Sequence, residues 1–131
     1  MKVEKQLSLF LQNKPGVLAG VCEDLAEARV NVLAISVADH VDHAVVRLVA
    51  SPARKAIHIL GNAGLLVVES DILAIDLRNQ PAALAKLSRK LAQARVNIDY
   101  AYGSAGGGRR ASTLFLHVSD LKKAQAALRG V

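Results

Sequence analysis

An internal repeat is the feature that most constrains what this sequence can fold into. The segment LAEARVNV at 25–32 returns as LAQARVNI at 91–98, an offset of 66 residues. Between positions 7 and 32, 12 of 26 residues are identical to the residues 66 positions later. Because a duplication of this length places the same structural unit twice in one chain, the 131 residues predict two domains, 1–70 and 71–131.

Each copy shows the same succession of strand and helix patterns. Strands are predicted where apolar and polar residues alternate or β-branched residues cluster, and helices where apolar residues recur every three or four positions. In the first copy the predicted strands are 3–11, 32–37, 44–49 and 65–69, and the predicted helices are 17–28 and 51–60, with Ser51 as N-cap. In the second copy the predicted strands are 72–77, 98–101 and 113–118, and the predicted helices are 81–94 and 120–128.

The order βαββαβ places this chain in the α+β class. It predicts two ferredoxin-like units side by side, each an antiparallel sheet with helices on one face. The second copy shows no pattern for a fourth strand, so the strand at 72–77 is predicted to have one unpaired side. Because an unpaired strand edge promotes association, a second chain or a covering loop is expected there, and a homodimer is the expected assembly.

The composition excludes several classes of protein. Apolar residues make up 52% of the chain, too high a fraction for a disordered segment. The single cysteine, Cys22, excludes a disulfide-bonded scaffold and is typical of a reducing compartment, so a cytoplasmic location is expected. The longest stretch without a charged residue, 56–68, is shorter than the roughly 18 residues of a membrane helix, so no membrane partner is expected. Cys22 follows the apolar stripe of the first helix and is predicted to be a buried core thiol.

A net charge of +6 raises the question of nucleic-acid binding. A ferredoxin-like sheet that binds RNA would present stacking aromatic residues, whereas this chain has two tyrosines, two phenylalanines and no tryptophan. No nucleic-acid partner is therefore expected, and the charge is interpreted as favouring solubility or attracting a partner. The basic loop GGGRR at 106–110 is interpreted as a solvated hairpin tip, with a phosphate contact as the alternative.

No arrangement typical of an enzyme is visible. The sequence shows no nucleophile–base pair, no paired carboxylates at a recognisable spacing and no phosphate-binding loop in the right context. His40 and His43 lie beside Asp39 and Asp42, but so short a cluster favours a hairpin loop over a metal centre. His117 stands alone and has no predicted role. The sequence therefore predicts a protein that is not an enzyme, with no cofactor and no metal.

Two pairs of segments resemble the opening of an ACT domain. Residues 9–19, LFLQNKPGVLA, precede ARVNV at 28–32, and residues 79–85 and 94–98 resemble a diverged second copy. The whole chain is similar to free-standing tandem ACT proteins, which are amino-acid-sensing modules without an attached catalytic domain. The resemblance implies a non-catalytic, allosteric regulatory protein that binds an amino-acid effector.

The resemblance also implies where that effector binds. In the ACT family, effectors commonly sit where two domains meet, between a strand-to-helix turn of one and a helix-to-strand junction of the other. Two pseudo-equivalent sites follow, one formed by Asn13, Lys14, Pro15, Gly16 and Val17 with Asn97 and Ile98, the other by Asn79, Gln80, Pro81 and Ala82 with Asn31 and Val32. Glycine allows close backbone approach, helix-start amides favour a carboxylate, and asparagine both donates and accepts. The first site ranks above the second because Ala82 stands where the first has Gly16.

Simpler roles for the four asparagines stay open at this point. Asn13 and Asn79 are equally suited to capping the turn before the following helix. Asn31 and Asn97 are equally suited to the turn between helix and strand.

Two arginines and two tyrosines also have alternative roles. Arg29 and Arg95 stand at helix ends where relatives often have glycine, and a left-handed conformation there costs an arginine roughly 1 kcal/mol. They are interpreted as solvated partners of the helix dipole, with carboxylate binding as the alternative. Tyr100 and Tyr102 share one face of a strand and are interpreted as packing residues, with pocket lining as the alternative.

Two further functions compete with amino-acid binding. The chain could be a regulatory subunit held on a separate metabolic enzyme, with the basic surface as the docking face. A nucleic-acid-binding ferredoxin-like protein is the less favoured alternative, which steep salt-dependent retention on nucleic acid would support.

Overall fold

The computed structural model describes residues 1–78, 80–104 and 111–130. In chain order, the strands and helices in these ranges are β1 (Lys2–Gln12), α1 (Val17–Glu27), β2 (Asn31–His40), β3 (His43–Ser51), α2 (Ala53–Asn62), β4 (Val67–Arg78), α3 (Ala83–Gln93), β5 (Ile98–Ser104), β6 (Ala111–Val118) and α4 (Leu121–Ala127). The α+β class with antiparallel strand pairing is confirmed.

The centre of the sequence differs from the prediction. Two strands, 65–69 and 72–77, are predicted there, but the structure has one continuous strand, β4. Ser70 and Asp71 are polar, yet neither is a glycine or proline, so no residue at this point forces the backbone to turn. Polarity alone was an insufficient reason to predict a break.

The start of α2 also differs from the prediction. Ser51 is predicted as the N-cap, but it is the last residue of β3 and pairs with Asn31 of β2. Pro52 occupies the N-cap position with extended φ and ψ of −73° and 135°, and no side chain caps the helix. Proline is well tolerated at a helix start because its missing N–H would have no partner there. Since Pro52 takes the N-cap position, Ser51 is left as the last residue of β3.

The chain divides into two compact units: Lys5–Ser70, called the first unit, and Met1–Glu4 with Asp71–Val131, called the second unit. In the first unit the strands follow the order β2-β3-β1. Alternate residues of β1 face the helices, as a half-buried strand requires. The core consists of Leu7, Leu9, Leu11, Val21, Leu25, Val30, Val46, Leu48, Ala50, Ala56 and Leu60.

The second unit has its own core and the strand order β4-β6-β5. That core consists of Leu73, Ile75, Leu87, Leu91, Val96, Leu116, Ala124 and Leu128. β1 is the neighbour of β4 on its other side, and the first residues of the chain, Met1–Glu4, belong to this unit. The prediction that 72–77 would need a second chain or a loop to cover an unpaired side is therefore wrong, because the chain supplies its own strand there.

The ends of α1 and α3 repeat the same geometry. Arg29 and Arg95 both have a left-handed φ of 59°, which confirms the conformation predicted for them. At the end of α1, Arg29 N donates to Ala26 O at 3.0 Å and Val30 N to Leu25 O at 2.9 Å, and α3 ends in the same way. This is the hydrogen-bond pattern of a Schellman motif, and Leu25 and Val30, which such a motif brings together, both belong to the core of the first unit.

Cys22 does not lie in the core. It is exposed, whereas Val21 and Leu25 of the same helix are buried. The prediction of a buried thiol is wrong because one residue along a helix turns the side chain by about 100°, which takes Cys22 off the narrow buried face of α1.

Candidate ligand-binding turns

The turn between β1 and α1 is shaped by a glycine. Gly16 has a φ of +86°, a left-handed conformation that other residues adopt only with strain. A Cβ at this position would meet nothing within 4 Å, so backbone conformation rather than space accounts for the glycine. Gly16 is also the N-cap of α1, and no side chain caps this helix. The amide of Val17 already donates to Lys14 O at 3.4 Å, so the amides that follow it, of Leu18 and Ala19, are the ones suited to an acceptor from outside the helix.

Asn13 fastens this turn to the hairpin between β2 and β3. Its Nδ2 donates to Asp39 Oδ1 at 2.7 Å and to Val41 O at 3.3 Å. Its backbone N donates to Asp42 O at 3.2 Å, and Asp39 Oδ1 also accepts from Val41 N at 2.9 Å. One alternative predicts a capping role for Asn13, but its side chain makes no cap hydrogen bond to α1. It ties two loops, and Asp39 is a partner that the sequence analysis missed.

The other predicted residues of the first unit lie in two places. Lys14 and Pro15 are exposed in the same turn, and Val17 is half-buried at the start of α1. Asn31 and Val32 begin β2, whereas Asp39, the partner of Asn13, lies eight residues further along that strand. Since a strand rises about 3.3 Å per residue, Asn31 and Asp39 are about 26 Å apart along β2, so Asn31 lies at the end of the strand away from Asn13.

The equivalent turn of the second unit has a different backbone. Asn79 lies outside the described residues, and Gln80, Pro81 and Ala82 are exposed. Gln80 N donates to Arg78 O at 2.8 Å, and Ala82 is the N-cap of α3 with φ and ψ of −91° and −7°. The left-handed conformation of Gly16 is therefore absent at Ala82, although α3 likewise begins without a side-chain cap.

Asn97 belongs to a polar cluster of the second unit. Its backbone N donates to Ser119 Oγ at 2.9 Å, and its Nδ2 donates to Asp99 Oδ1 at 2.9 Å. The other carboxylate oxygen of Asp99 lies 2.9 Å from His117 Nδ1, and the His117 ring stacks on Tyr100 at 4.8 Å. The side-chain hydrogen bond from Asn97, followed by that from His117, lowers the pKa of Asp99 below its ordinary value.

Sequence reasoning missed Asp99 and His117. The signal was weak, because Asn97 lies just before β5 and Asp99 near its start, while His117 is 18 residues after Asp99 in the chain. The pairing of β5 with β6 brings them together, with Tyr100 opposite His117. Ile98, the last predicted residue of this group, is half-buried opposite Val118.

A family model described as an ACT domain pair matches residues 1–127. This chain belongs to that family. The match covers both copies of the repeat, and the ACT resemblance predicted from the turn and strand motifs is confirmed. As an ACT domain pair, the chain consists of regulatory modules of the kind that bind small-molecule effectors.

Solved structures support the ACT fold of both units. A protein of Bacteroides thetaiotaomicron, BT0572, is 33% identical with a TM-score of 0.91, over 97% of this chain and 87% of that one. The ligand-free regulatory subunit of aspartate kinase from Thermus thermophilus is 19% identical with a TM-score of 0.71, over 98% and 94%. The corresponding subunit from Thermus flavus is 20% identical with a TM-score of 0.67, over 98% and 92%. No curated protein sequence is similar enough to count as a match.

The remaining features of the ACT pair are local. Tyr102 stacks on Phe115 at 5.4 Å, as expected of a packing residue. His40 and His43 stack at 5.4 Å, and the described residues contain no group of three or more side chains able to hold a metal ion. The basic loop at 106–110 lies outside the described residues. Each described helix is too short or too polar to span a lipid bilayer.

Proposed function

We propose that this ACT domain pair is a non-catalytic regulatory protein that binds an amino-acid effector at the α1 turn, residues 13–17. The observation that carries the proposal is a helix start without a side-chain cap, placed next to the amide of Asn13. Membership of the ACT family supplies the expectation of a small effector.

The chemistry of the α1 turn suits both charged groups of an amino acid. Amides at a helix start and the helix dipole favour a carboxylate. The nitrogen of the Asn13 side chain donates to Asp39 and Val41, so its Oδ1 is the atom that would accept from an α-ammonium group. The left-handed Gly16 has open space around its Cα, which allows the ligand close to the backbone.

We propose the α3 turn as a weaker second site. As the resemblance implies, Asn79–Ala82 would form this site with Asn31 and Val32. Asn97 and Ile98 would complete the site at the α1 turn. Ala82 lacks the left-handed conformation of Gly16, so the amides at the start of α3 are arranged differently.

The same proposal includes the division into ACT domains at 1–70 and 71–131. It also includes a cytoplasmic location, which is consistent with the single cysteine.

A thermal-shift screen against the common amino acids tests the proposal. A ligand at roughly 100 times its dissociation constant stabilises a protein by about 2.7 kcal/mol, which is readily measured. Asn13→Ala should remove most of the shift that the best amino acid produces. Asn62→Ala, an exposed asparagine at the end of α2, is the matched control and should leave the shift intact. No shift with any amino acid at millimolar concentration would refute the proposed function.

A second variant separates ligand contact from loop positioning. Asp39→Ala removes the shortest hydrogen bond between the α1 turn and the hairpin but keeps the Asn13 side chain itself and its bonds to Val41 O and Asp42 O. Direct contact predicts that Asp39→Ala weakens binding less than Asn13→Ala does. Equal losses would show that Asn13 acts only by holding the turn.

The alignment with one structural relative, which covers nearly all of both chains, supports a second candidate function. The Thermus thermophilus protein is described as the regulatory subunit of aspartate kinase, and 94% of it aligns with 98% of this chain. We propose as the alternative that this chain is the regulatory subunit of a separate metabolic enzyme. Affinity purification of the chain from its own cells, with mass spectrometry of what remains bound, would reveal such an enzyme. A homodimer free of other chains would favour the effector-binding proposal instead.

A further inference from the structure

A cavity of about 530 Å³ opens at the surface of the second unit. It lies among the end of β4, the α3 turn and the flank of α3, and it is lined by Asp76, Leu77, Arg78, Gln80, Ala83, Lys86, Lys90 and Gly130. Small-molecule sites commonly have volumes of about 300–1,000 Å³, so the cavity is large enough for a metabolite.

The charged groups of the cavity are mostly positive. Arg78, Lys86 and Lys90 line it, against the single carboxylate of Asp76. Asp76 Oδ1 accepts a hydrogen bond from Thr113 Oγ1 at 2.7 Å, so part of its acceptor capacity is used within the sheet. The cavity therefore presents a net positive charge together with an apolar contribution from Leu77 and Ala83.

The two lysines stand one helical turn apart on α3. Like charges at this spacing repel and destabilise a helix slightly, and α3 contains no acidic residue that would offset them. A neighbouring hollow is lined by Arg89 together with Lys86 and Lys90, so it is also positively charged. An anion in the cavity would relieve this repulsion.

The first copy of the repeat shows that the fold does not require these cations. At the offset of 66 residues, Lys86 corresponds to Gly20, Lys90 to Asp24 and Arg78 to Gln12. Arg89 corresponds to Glu23, so α1 is acidic where α3 is basic. Since the same helix packs without these charges in the first unit, the basic cavity is a specific property of the second unit.

We propose that this cavity binds a small molecule carrying at least two negative charges, as phosphate or carboxylate groups. Arg78 offers a planar fork of donors for an oxyanion, and Lys86 and Lys90 act as point charges for the second group. The cavity uses no residue of the α1 turn, but Gln80 also belongs to the α3 turn proposed as the weaker site, so this inference rests on that part of the proposed function and names the ligand class it would take. Its test with dianions is separate from the amino-acid screen at the α1 turn, so either can fail without the other.

Isothermal titration calorimetry of the full chain at low ionic strength is the test, because at 0.1 M salt the attraction between exposed charges is largely screened beyond about 10 Å. Pyrophosphate probes the phosphate source, succinate probes the dicarboxylate source, and succinamide is the neutral control. We expect saturable binding of pyrophosphate, succinate or both, and none of succinamide. The double variant Lys86→Gln/Lys90→Gln should weaken binding about fivefold or more.

A matched variant controls for net charge. Lys122→Gln/Lys123→Gln removes the same charge from exposed positions of α4, outside the cavity lining, and should weaken binding less than about twofold. Equal losses in both double variants would identify nonspecific ion attraction and overturn the proposal. Absence of saturable binding would also overturn the proposal. So would binding of single-stranded RNA through Lys86 and Lys90 if pyrophosphate does not displace the RNA. Unchanged affinity in Asn13→Ala would confirm that the site is separate from the α1 turn.

Discussion

The two ACT units derive from one repeated sequence, and they differ far more at their surfaces than in their cores. Leu25 and Leu91 are equivalent and both 1% exposed, and Val30 and Val96 are likewise both buried. By contrast, Gly16 is replaced by Ala82 in the turn, and the exposed face of the following helix changes from acidic to basic. The repeat has kept apolar residues at the core positions, and it has also kept Asn13 and Pro15 as Asn79 and Pro81 in the turn, whereas Gly16 and the exposed charges of the helix have changed.

This difference separates two kinds of constraint. A core position must keep its volume and apolarity, because a cavity or a buried polar group costs several kcal/mol. An exposed turn or helix face loses little stability on substitution, so its residues are free to specialise. Gly16 and Ala82 show the result, since a single Cβ accompanies a change from a left-handed to a right-handed backbone.

The largest expected effect tests the equivalence of the cores. Leu25→Ala and Leu91→Ala should each lower the free energy of unfolding by about 2–5 kcal/mol, because both leave a cavity in a packed core. Urea unfolding measures the change. Leu84→Ala, at a position 56% exposed on α3, is the control and should cost less than about 1 kcal/mol. A loss of less than about 1 kcal/mol at either Leu25 or Leu91 would show that the two cores are not equivalent.

A smaller effect should distinguish the two turns. Gly16→Ala should lower the free energy of unfolding by about 1 kcal/mol, because alanine at a φ of +86° is strained. Ala82→Gly should change it by less than about 0.5 kcal/mol, since glycine is well tolerated at an N-cap. Thermal or urea unfolding of the two variants provides the measurement. A gain of about 1 kcal/mol in Ala82→Gly would contradict the assignment of distinct backbone conformations, because glycine would then relieve a left-handed strain at Ala82.

The smallest effect concerns the carboxylates of the two units at acid pH. Hydrogen bonds lower the pKa of Asp99, mainly from Asn97 and then His117, and that of Asp42, mainly from His43. A lowered folded-state pKa adds stability above the ordinary value of 3.8, and this stability is lost as the pH falls through the folded value.

Asp99→Asn should therefore be less stable than the wild type at neutral pH, with the difference vanishing as the pH falls below about 4. Asp42→Asn should behave in the same direction. Urea unfolding at several pH values measures both. A difference for Asp99→Asn that persists unchanged at low pH would show that its ionised form contributes no stability.

The sequence predicted the elements of the fold better than their exact ends. The period of apolar residues located α1 and α3, and the left-handed Arg29 followed from its place after the helix. The break predicted within β4 failed because Ser70 and Asp71 are polar without forcing a turn, and the burial of Cys22 failed because the buried face of α1 is narrower than its apolar stripe. In both cases the local pattern of polarity was a poor guide to what the neighbours bury.

The candidate sites show the same limit. The α1 turn was recognisable because Asn13 to Gly16 is a contiguous motif. The Asp39 partner of Asn13 and the contact of Asp99 with His117 join residues 26 and 18 positions apart, which only strand pairing brings together. The cavity bounded by Arg78, Lys86 and Lys90 could not be predicted either, because its walls come from a strand, a turn and a helix.

The sequence by itself determined that this chain holds two copies of one α+β unit, because the repeat and its periodicities are written in consecutive residues. It also indicated a left-handed backbone for Arg29 and Arg95, which follow helix ends, whereas the left-handed φ of Gly16 was seen only in the structure. Only the tertiary structure decided that the first residues of the chain, Met1–Glu4, join the second unit beside β4. The physical reason is that strand edges are satisfied by hydrogen bonds to whichever segment the whole fold brings within reach, and a linear sequence does not record that distance.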